Sequence, residues 1–473
     1  MTTIGTENLA PGALYELVAR GNKDVFFLSK DLSVADNPFS QQYNSSEPHL
    51  GEVRTTVPTN AADFGKMVEF QLETFGDVLT DMNILIDLPS WLPALPLVSG
   101  GTTYDPQELN WEQHITSADD NSYGWIRGIA YLLFERIQIL QDLVLIQDIS
   151  GDSLLALDQT ASTNVQYYLR AAESGTHNGT AREIAGNATP GRLRVRIPFP
   201  GLQGLYDGGL PLCALQSQNY RVRFKLRRAE QLWESSVATT IAPWDNTFKV
   251  PGIISGAGGA GRAALGAPTL LLETRQVYVS EDQKKELQST HLQIPFIKYY
   301  DETFTIGEAD YVAIDKGGVS VIQRRMEGRH PMERLLFYFR SKQWFRDGQL
   351  WRIGGGTDFY NSVEFYVAGT TREFGWGSDI LHTVNGLVKD ERYMSERDQS
   401  ELRWSIPEGL GYNRQPTGTV NFSTASRPTL AIDLKNVTPD PADGQRTTYL
   451  QVCGESWGIY EVKDGRGRLM FID

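Results

Sequence analysis

Cysteine is nearly missing from this chain: Cys213 and Cys453 are the only two in 473 residues. A disulfide-built scaffold is excluded, and two thiols so far apart in apolar contexts are expected to be buried and free. Long hydrophobic runs are missing as well. Nothing approaches the roughly 18 uninterrupted apolar residues of a membrane-crossing helix. Met1–Gly12 lacks the basic start and apolar run of a secretory leader. The expectation is a soluble chain kept in a reducing compartment. Positive charge is in deficit, with 44 Lys and Arg against 58 Asp and Glu and a net charge of −14. That balance argues against a protein that coats nucleic acid with a basic face.

Motifs for chemistry are also scarce. Gly256–Gly261 spells G-x-G-x-x-G, but Pro251-Gly252 precedes it and no amphipathic helix follows, so it reads as a loop and not a dinucleotide site. His49, His114, His177, His291, His330 and His382 are scattered, none beside a cysteine or a second histidine at ligand spacing. Asp119-Asp120-Asn121 lacks the glycine and terminal glutamate of a calcium loop. There is no G-x-S-x-G elbow, and Asp390-Glu391 sits in the mixed-charge run Lys389–Arg403, read as a solvated loop. Asn44, Asn178, Asn187, Asn421 and Asn436 satisfy N-x-[ST], without a leader to bring them to a glycosylating compartment. No catalytic residue, cofactor or metal is expected.

Turns and short strands are present in quantity. Gly (45) and Pro (22) are spread throughout, with 20 Phe, 20 Tyr and 10 Trp to fill a core. This length exceeds one core, and two domains of roughly 200 residues are expected. The most patterned stretch is Gly411–Leu434: a turn at Pro416-Thr417-Gly418, then Val420 and Phe422 alternating with polar residues. A second turn at Ser426–Pro428 follows, then Leu430, Ile432 and Leu434. This reads as a hairpin with one apolar face. A looser copy lies about two hundred residues earlier, from Gly208-Gly209-Leu210-Pro211 to Val222, Phe224 and Leu226. One copy in each half predicts a duplicated β-domain.

Along the rest of the chain, strands are expected at 53–57, 67–72, 84–88, 163–169, 192–199, 221–227 and 270–279, with a strand-rich stretch over 122–147. In the second half they are expected at 291–297, 311–314, 335–340, 363–367, 402–406, 447–452, 457–462 and 468–471. Short helices are expected at 151–157 and 281–288. Strands so short and numerous predict two antiparallel sandwiches or barrels side by side. Two strands carry cations on their polar face: Arg192, Arg194 and Arg196, and Arg221, Arg223, Lys225 and Arg227. If the strands are neighbours, these cations share one surface, either solvated, paired to acids on adjacent strands, or meeting acidic loops of another subunit. Arg324, Arg325, Arg329, His330 and Arg334 form a further basic cluster, diluted by Glu327 and Glu333 and read as a subunit contact or surface face.

Four patches then carry a resemblance. They are Leu14–Leu28; Ile197-Pro198-Phe199-Pro200 with Gly209–Leu215; Thr269–Gln288; and Gln415-Pro416-Thr417-Gly418-Thr419-Val420-Asn421-Phe422-Ser423. In this order, spread over nearly the whole chain, they resemble the double jelly-roll major capsid proteins of the nucleocytoplasmic large DNA viruses. Two departures stand out. Asn37–Ser46 keeps Phe39 and Tyr43 but has no Lys or Arg where that family often has a basic stretch that anionic lipid would attract. The closing region is altered to Gly454–Tyr460.

The resemblance implies an all-β chain of two tandem eight-stranded antiparallel jelly-roll (β-sandwich) domains with long loop insertions and a few short helices. The expected division is an arm at 1–51, a first jelly roll at 52–289 with insertions near 90–121, 170–191 and 229–268, and a second at 290–473. The insertions are expected as outer towers or straps between subunits, and the arm at the base, facing the interior. The resemblance further implies a structural protein and no enzyme, located in the outer shell of a virion assembled in the host-cell cytoplasm. Its partner would be itself, as a homotrimeric pseudo-hexagonal capsomer and then as neighbouring capsomers, with minor capsid and penton proteins. An internal membrane beneath the shell is left open. The rival from another class is a two-domain jelly-roll glycan-binding protein or glycosidase, which requires exposed aromatics and converging carboxylates.

Overall fold

Alternation of apolar and polar side chains builds the walls of the protein. The computed structural model describes residues 49–89, 97–99, 102–104, 123–161, 173–176, 183–184, 187, 190–202, 209–215, 218–235, 265–354, 356–378, 380–381, 399–405, 418–425 and 427–470. A first series of strands is β1 (Leu50–Thr56), β2 (Met67–Gln71), β3 (Val78–Asp87), β4 (Phe134–Gln141), β5 (Val144–Ile149), β6 (Leu193–Arg196), β7 (Leu210–Pro211), β8 (Tyr220–Leu226) and β9 (Thr269–Tyr278). The second is β10 (Leu292–Ile306), β11 (Val321–Arg325), β12 (Pro331–Ser341), β13 (Tyr360–Val367), β14 (Thr370–Gly377), β15 (Ser400–Arg403), β16 (Val420–Asn421), β17 (Thr429–Leu434) and β18 (Thr448–Lys463), closed by β19 (Arg466–Leu469).

The two series pair in the same way, strand for strand. In the first, one sheet runs β1-β9-β3 with β6 and β7 along the far edge of β3, and the other runs β2-β8-β4-β5. In the second, one sheet runs β10-β18-β12 with β15 and β16 along the far edge of β12, and the other runs β11-β17-β13-β14. All of these pairings are antiparallel. This is jelly-roll connectivity twice over, and among the described residues no strand of one series pairs with a strand of the other.

Period-2 patterning places the cores. On β8, Tyr220, Val222, Phe224 and Leu226 are buried while Arg221, Arg223 and Lys225 point outward. Each such large side chain contributes on the order of 1.5–3 kcal/mol. Ile137 and Ile139 on β4 join the same core, and the second core holds Phe337, Phe339, Val363, Phe365, Leu430 and Ile432. The β18–β19 hairpin turns at Asp464-Gly465, both with positive φ (52° and 76°), the two-residue turn whose twist suits adjacent strands. Helix α1 (Gly151–Ala161) follows β5, α2 (Glu281–Ser289) links the two rolls, and α3 (Glu308–Asp315) follows β10. No helix among the described residues is long and apolar enough to cross a membrane.

Three expectations are corrected. The stretch 411–434 is not a hairpin. β16 pairs with β12 and β17 with β11 and β13, so the two strands belong to different sheets. The earlier copy does likewise, with β7 on β3 and β8 between β2 and β4. Apolar alternation shows which face meets the core but not which strand lies alongside, and both walls face one core. Residues 311–314 are helical: the Asp310 carboxylate accepts the Gly307 N–H at 3.0 Å, capping α3, and Tyr311 and Ile314 share its inner side. Residues 447–452 and 457–462 are one 16-residue strand, β18. Its Gly454 and Gly458 mark close approach instead of a break: a Cβ would lie 2.5 Å from Met332 Sδ and 2.9 Å from the Phe296 ring respectively. The strand expected at 163–169, the glycine tract 256–261, residues 1–48 of the arm and most of the three insertions lie outside the described residues.

Candidate assembly surfaces and the seam between the rolls

The two cation rows stand on opposite sheets and do not share a surface. Arg192, just before β6, and Arg194 and Arg196 on it stand on the outer face of the β1-β9-β3 sheet. There Arg192 meets Asp87 at 2.7 Å, Arg194 meets Glu273 at 2.8 Å and Asp81 at 3.4 Å, and Arg196 meets Asp81 at 3.5 Å. β8 carries Arg221 and Arg223, both on Glu69 (3.4 and 2.6 Å), and Lys225 on Glu135 (2.6 Å). Of the arrangements open at the level of sequence, pairing with acids on neighbouring strands is the one observed. Pairs this exposed are worth about 0–1 kcal/mol each.

Arg227 is a correction, because it points inward. The register shifts between Lys225 and Leu226, so the alternation that aims Arg221 and Arg223 at solvent stops before Arg227. Its backbone is held by Gly65 and Leu133, and its guanidinium donates to Asp152 at 9% exposure.

The basic cluster in the second roll also divides. Arg324 reaches Asp310 at 3.5 Å. Arg325 and Arg329 are exposed, with no ion pair to a carboxylate among the described residues. Arg334 is buried and grips Glu455 through two bonds of 2.5 and 2.7 Å. His330, also buried, turns the chain into β12 at φ 70°.

That turn explains the Asn421-Phe422-Ser423 signature in physical terms. The Asn421 side chain accepts the Ser423 N–H at 3.0 Å, Phe422 stacks on Phe365 with centroids 5.8 Å apart, and the Ser423 hydroxyl accepts the His330 N–H at 2.8 Å. Asn187, a nominal glycosylation site, is buried and donates to the Trp125 carbonyl at 2.7 Å, which leaves no room for a glycan.

Sequence reasoning missed the seam between the two rolls. β4, β5 and α1 of the first pack on the outer face of the β10-β18-β12 sheet of the second. Ala156 meets Tyr338 and Ile353, while Phe296, Leu336, Cys453 and Tyr460 join the first core. Polar groups thread this contact. Asp301 accepts the Ser150 N–H at 3.0 Å and lies 3.4 Å from Arg136. Gln147 accepts the Tyr299 N–H at 3.4 Å, and Tyr460 bonds Tyr220 at 2.5 Å and Gln141 at 2.8 Å. Asp152 sits between Arg227 of its own roll and Arg340 of the other, whose Nη1 is 2.8 Å away and whose side chain is 1% exposed.

Burial alone would raise the Asp152 carboxyl, but the two guanidiniums overcome this and hold it at about 2. Burial pushes Asp301 up, because the Ser150 N–H and Arg136 only partly offset it. It also lifts the Cys453 thiol well above its ordinary range, so this cysteine is an inert core residue. The signal was present in outline: β12 reads Leu335-Leu336-Phe337-Tyr338-Phe339 without alternation, as a strand covered on both faces does. An arginine closing such a run needs a buried acid.

The arrangement defines a class: a chain of two jelly rolls joined by an apolar seam threaded with polar groups, with charged outer sheets. No protein-family model matches the sequence, and no curated protein matches it. Solved structures match the fold. The PBCV-1 virus capsid, a quasi-atomic model, aligns at TM-score 0.67 and 14% identity, over 92% of this chain and 100% of that one. The Faustovirus major capsid protein aligns at TM-score 0.60 and 10% identity, over 90% and 92% of the two chains. A structure of the Sputnik virophage aligns at 0.52 and 8%, over 92% and 90%. The fold of this chain is therefore the double jelly roll, and identities this low speak for fold alone.

Proposed function

We propose that this chain is a structural major capsid protein of a large icosahedral DNA virus. Three copies close into a pseudo-hexagonal capsomer, capsomers tile the outer shell of the virion, and the chain performs no catalysis. The observation that carries this reading is the strand-for-strand repetition of one jelly roll within one chain, aligned over 92% of its length with a chain of a virus capsid. A stiff sandwich is a suitable tile because strand pairing and an interlocked core leave it little freedom to deform. Contacts within a capsomer should be firm, since obligate interfaces bury about 2,000–5,000 Å². Contacts between capsomers can be smaller and more polar, so that errors are reversible. Arg221, Arg223 and Lys225 on one outer sheet, Arg325 at the end of β11 and Arg329 just before β12 are assigned to the latter kind. Minor capsid and penton proteins would meet the same outer surfaces.

Light scattering tests the reading, with a particle of three times the 52.9 kDa chain expected and hexagonal outlines in electron micrographs. A monomer that binds sugars would overturn it in favour of a glycan-binding protein or glycosidase.

A further inference from the structure

One hairpin tip of the first roll holds apolar side chains out in water. β4 and β5 are joined by two residues, Asp142 and Leu143, with Gln141 opposite Val144. Asp142 takes a positive φ of 53°, its N–H donates to the Asn219 carbonyl at 2.8 Å, and its carboxylate accepts the Asn219 N–H at 3.1 Å. The turn is thus fixed against the start of β8. Beyond it Leu143 is 87% exposed, Val144 48% and Leu145 43%. Turns favour Gly, Asn and Asp, so a leucine here needs a reason outside the fold. The second roll supplies the comparison. Its β13 and β14 are also joined by two residues, Ala368 and Gly369, followed by Thr370 and Thr371. The same turn forms there without an apolar tip.

Strand pairing fixes which end the tip marks. Leu226 at the end of β8 lies opposite Phe134 at the start of β4, and Ile149 at the end of β5 lies opposite Ile137. The insertions near 90–121, 170–191 and 229–268 therefore all connect to one end of the roll, and Leu143 stands at the other. The β18–β19 turn lies beside it. Gly467 accepts Gln141 Nε2 at 2.5 Å and Gln218 Nε2 at 3.1 Å, and its N–H donates to Gln218 Oε1 at 2.7 Å. That turn brings Lys463 and Arg466, which face one another across the hairpin, are exposed, and hold no ion pair among the described residues. Asp142 and Asp464 lie in the two turns themselves. This end is thus close to neutral in a chain of net charge −14, and it does not repel an anionic surface.

We propose that the Leu143–Leu145 tip enters the surface of a lipid bilayer, with Lys463 and Arg466 meeting the headgroup phosphates. A convex apolar point with cations beside it suits a soft surface that offers no matching pocket. One tip binds weakly. A capsomer presents three to the same plane, and linked weak contacts multiply. The strength of binding rests on the capsomer reading above, to which this adds a partner for the end of the molecule away from the insertions.

Flotation of the full chain with phosphatidylcholine vesicles, with and without phosphatidylserine, tests this. Trimers are expected to rise with both. Leu143→Ser should weaken binding by about tenfold or more, with circular dichroism and light scattering as in the unaltered chain. Lys463→Glu with Arg466→Glu should weaken it less, and mainly on phosphatidylserine. Val319→Ser should bind normally, because Val319 is 69% exposed but lies beyond α3, at the end of the second roll where Ile306 meets Thr448. An environment-sensitive dye on Leu143→Cys, in a Cys213→Ser background, should shift to the blue on vesicles, a readout independent of flotation. Trimers that ignore vesicles, or that bind equally well after Leu143→Ser, would overturn the inference and leave the capsomer reading standing. A tip needed for shell closure by a chain without lipid affinity would overturn it too, in favour of a protein partner. A monomeric chain that binds vesicles through Leu143 would keep the inference and remove the capsomer.

Discussion

Asp152 is the residue on which the two rolls most depend. It is buried between Arg227 and Arg340, and removing the acid takes from both guanidiniums the carboxylate they pair with. Breaking a buried pair in this way costs about 3–5 kcal/mol. Asp152→Asn is therefore expected to lower stability by that amount in urea unfolding at neutral pH. Asp87→Asn, which removes only the exposed partner of Arg192, should cost less than about 1 kcal/mol.

The pH dependence of the same site has a definite sign. The folded-state value of Asp152 is about 2, against 3.8 for an ordinary aspartate, so the unfolded chain takes up its proton first as the pH falls. The stabilisation is complete above about pH 4 and fades towards pH 2, by about 2 kcal/mol. Asp301 works the other way. Burial raises it, so its favourable contribution is present at low pH and is lost as the pH rises through the raised value. Unfolding midpoints should therefore drop between pH 4 and 2.5 in the parent chain and change less in Asp152→Asn. An equal drop in both would move the acid sensitivity to another group.

At the scale of elements, glycines divide into those that hold a close approach and those that do not. Gly209 opens β7 at φ 81°, where a Cβ would lie 2.6 Å from the Leu79 carbonyl oxygen, while nothing lies within 4 Å of a Cβ at Gly191. Gly209→Ala should cost about 1–3 kcal/mol, through strain and a displaced backbone. Gly191→Ala should be within about 0.5 kcal/mol of neutral, and thermal unfolding of the pair measures the difference.

Strand prediction also failed around a glycine, since Gly454 falls in the break expected between 452 and 457 while β18 runs through it. What the sequence made legible was the period: alternation on β8, β6 and β17 gave their inward faces correctly, and the repeated turn-strand-turn-strand order betrayed the duplication. Pairing partners were not legible, because β16 and β17 face one core from opposite walls. Nor was the seam. Asp152, Arg340 and Asp301 are far apart in sequence and meet only when one roll docks on the other, and the single local hint was the unbroken apolar run on β12.

For the whole molecule, the decisive question is whether its charged outer sheets are contacts or merely wet. Arg194 and Arg223 stand on opposite sheets, each bonded to acids of its own chain, Glu273 and Asp81 for the first and Glu69 for the second. Exposed pairs contribute about 0–1 kcal/mol to folding, so Arg194→Glu and Arg223→Glu should both leave the monomer folded, with near-normal unfolding midpoints. Each reversal nevertheless crowds the new carboxylate against existing ones on a face that would approach another molecule. Repulsion at such a contact acts within about a Debye length, ~10 Å at 0.1 M salt. Arg194→Glu and Arg223→Glu should then each weaken assembly, and added salt should partly restore both. Light scattering and electron microscopy of assembling particles measure the loss. If both variants assemble like the parent at low salt, the rows are solvated faces and the subunits must hold one another through apolar contacts alone.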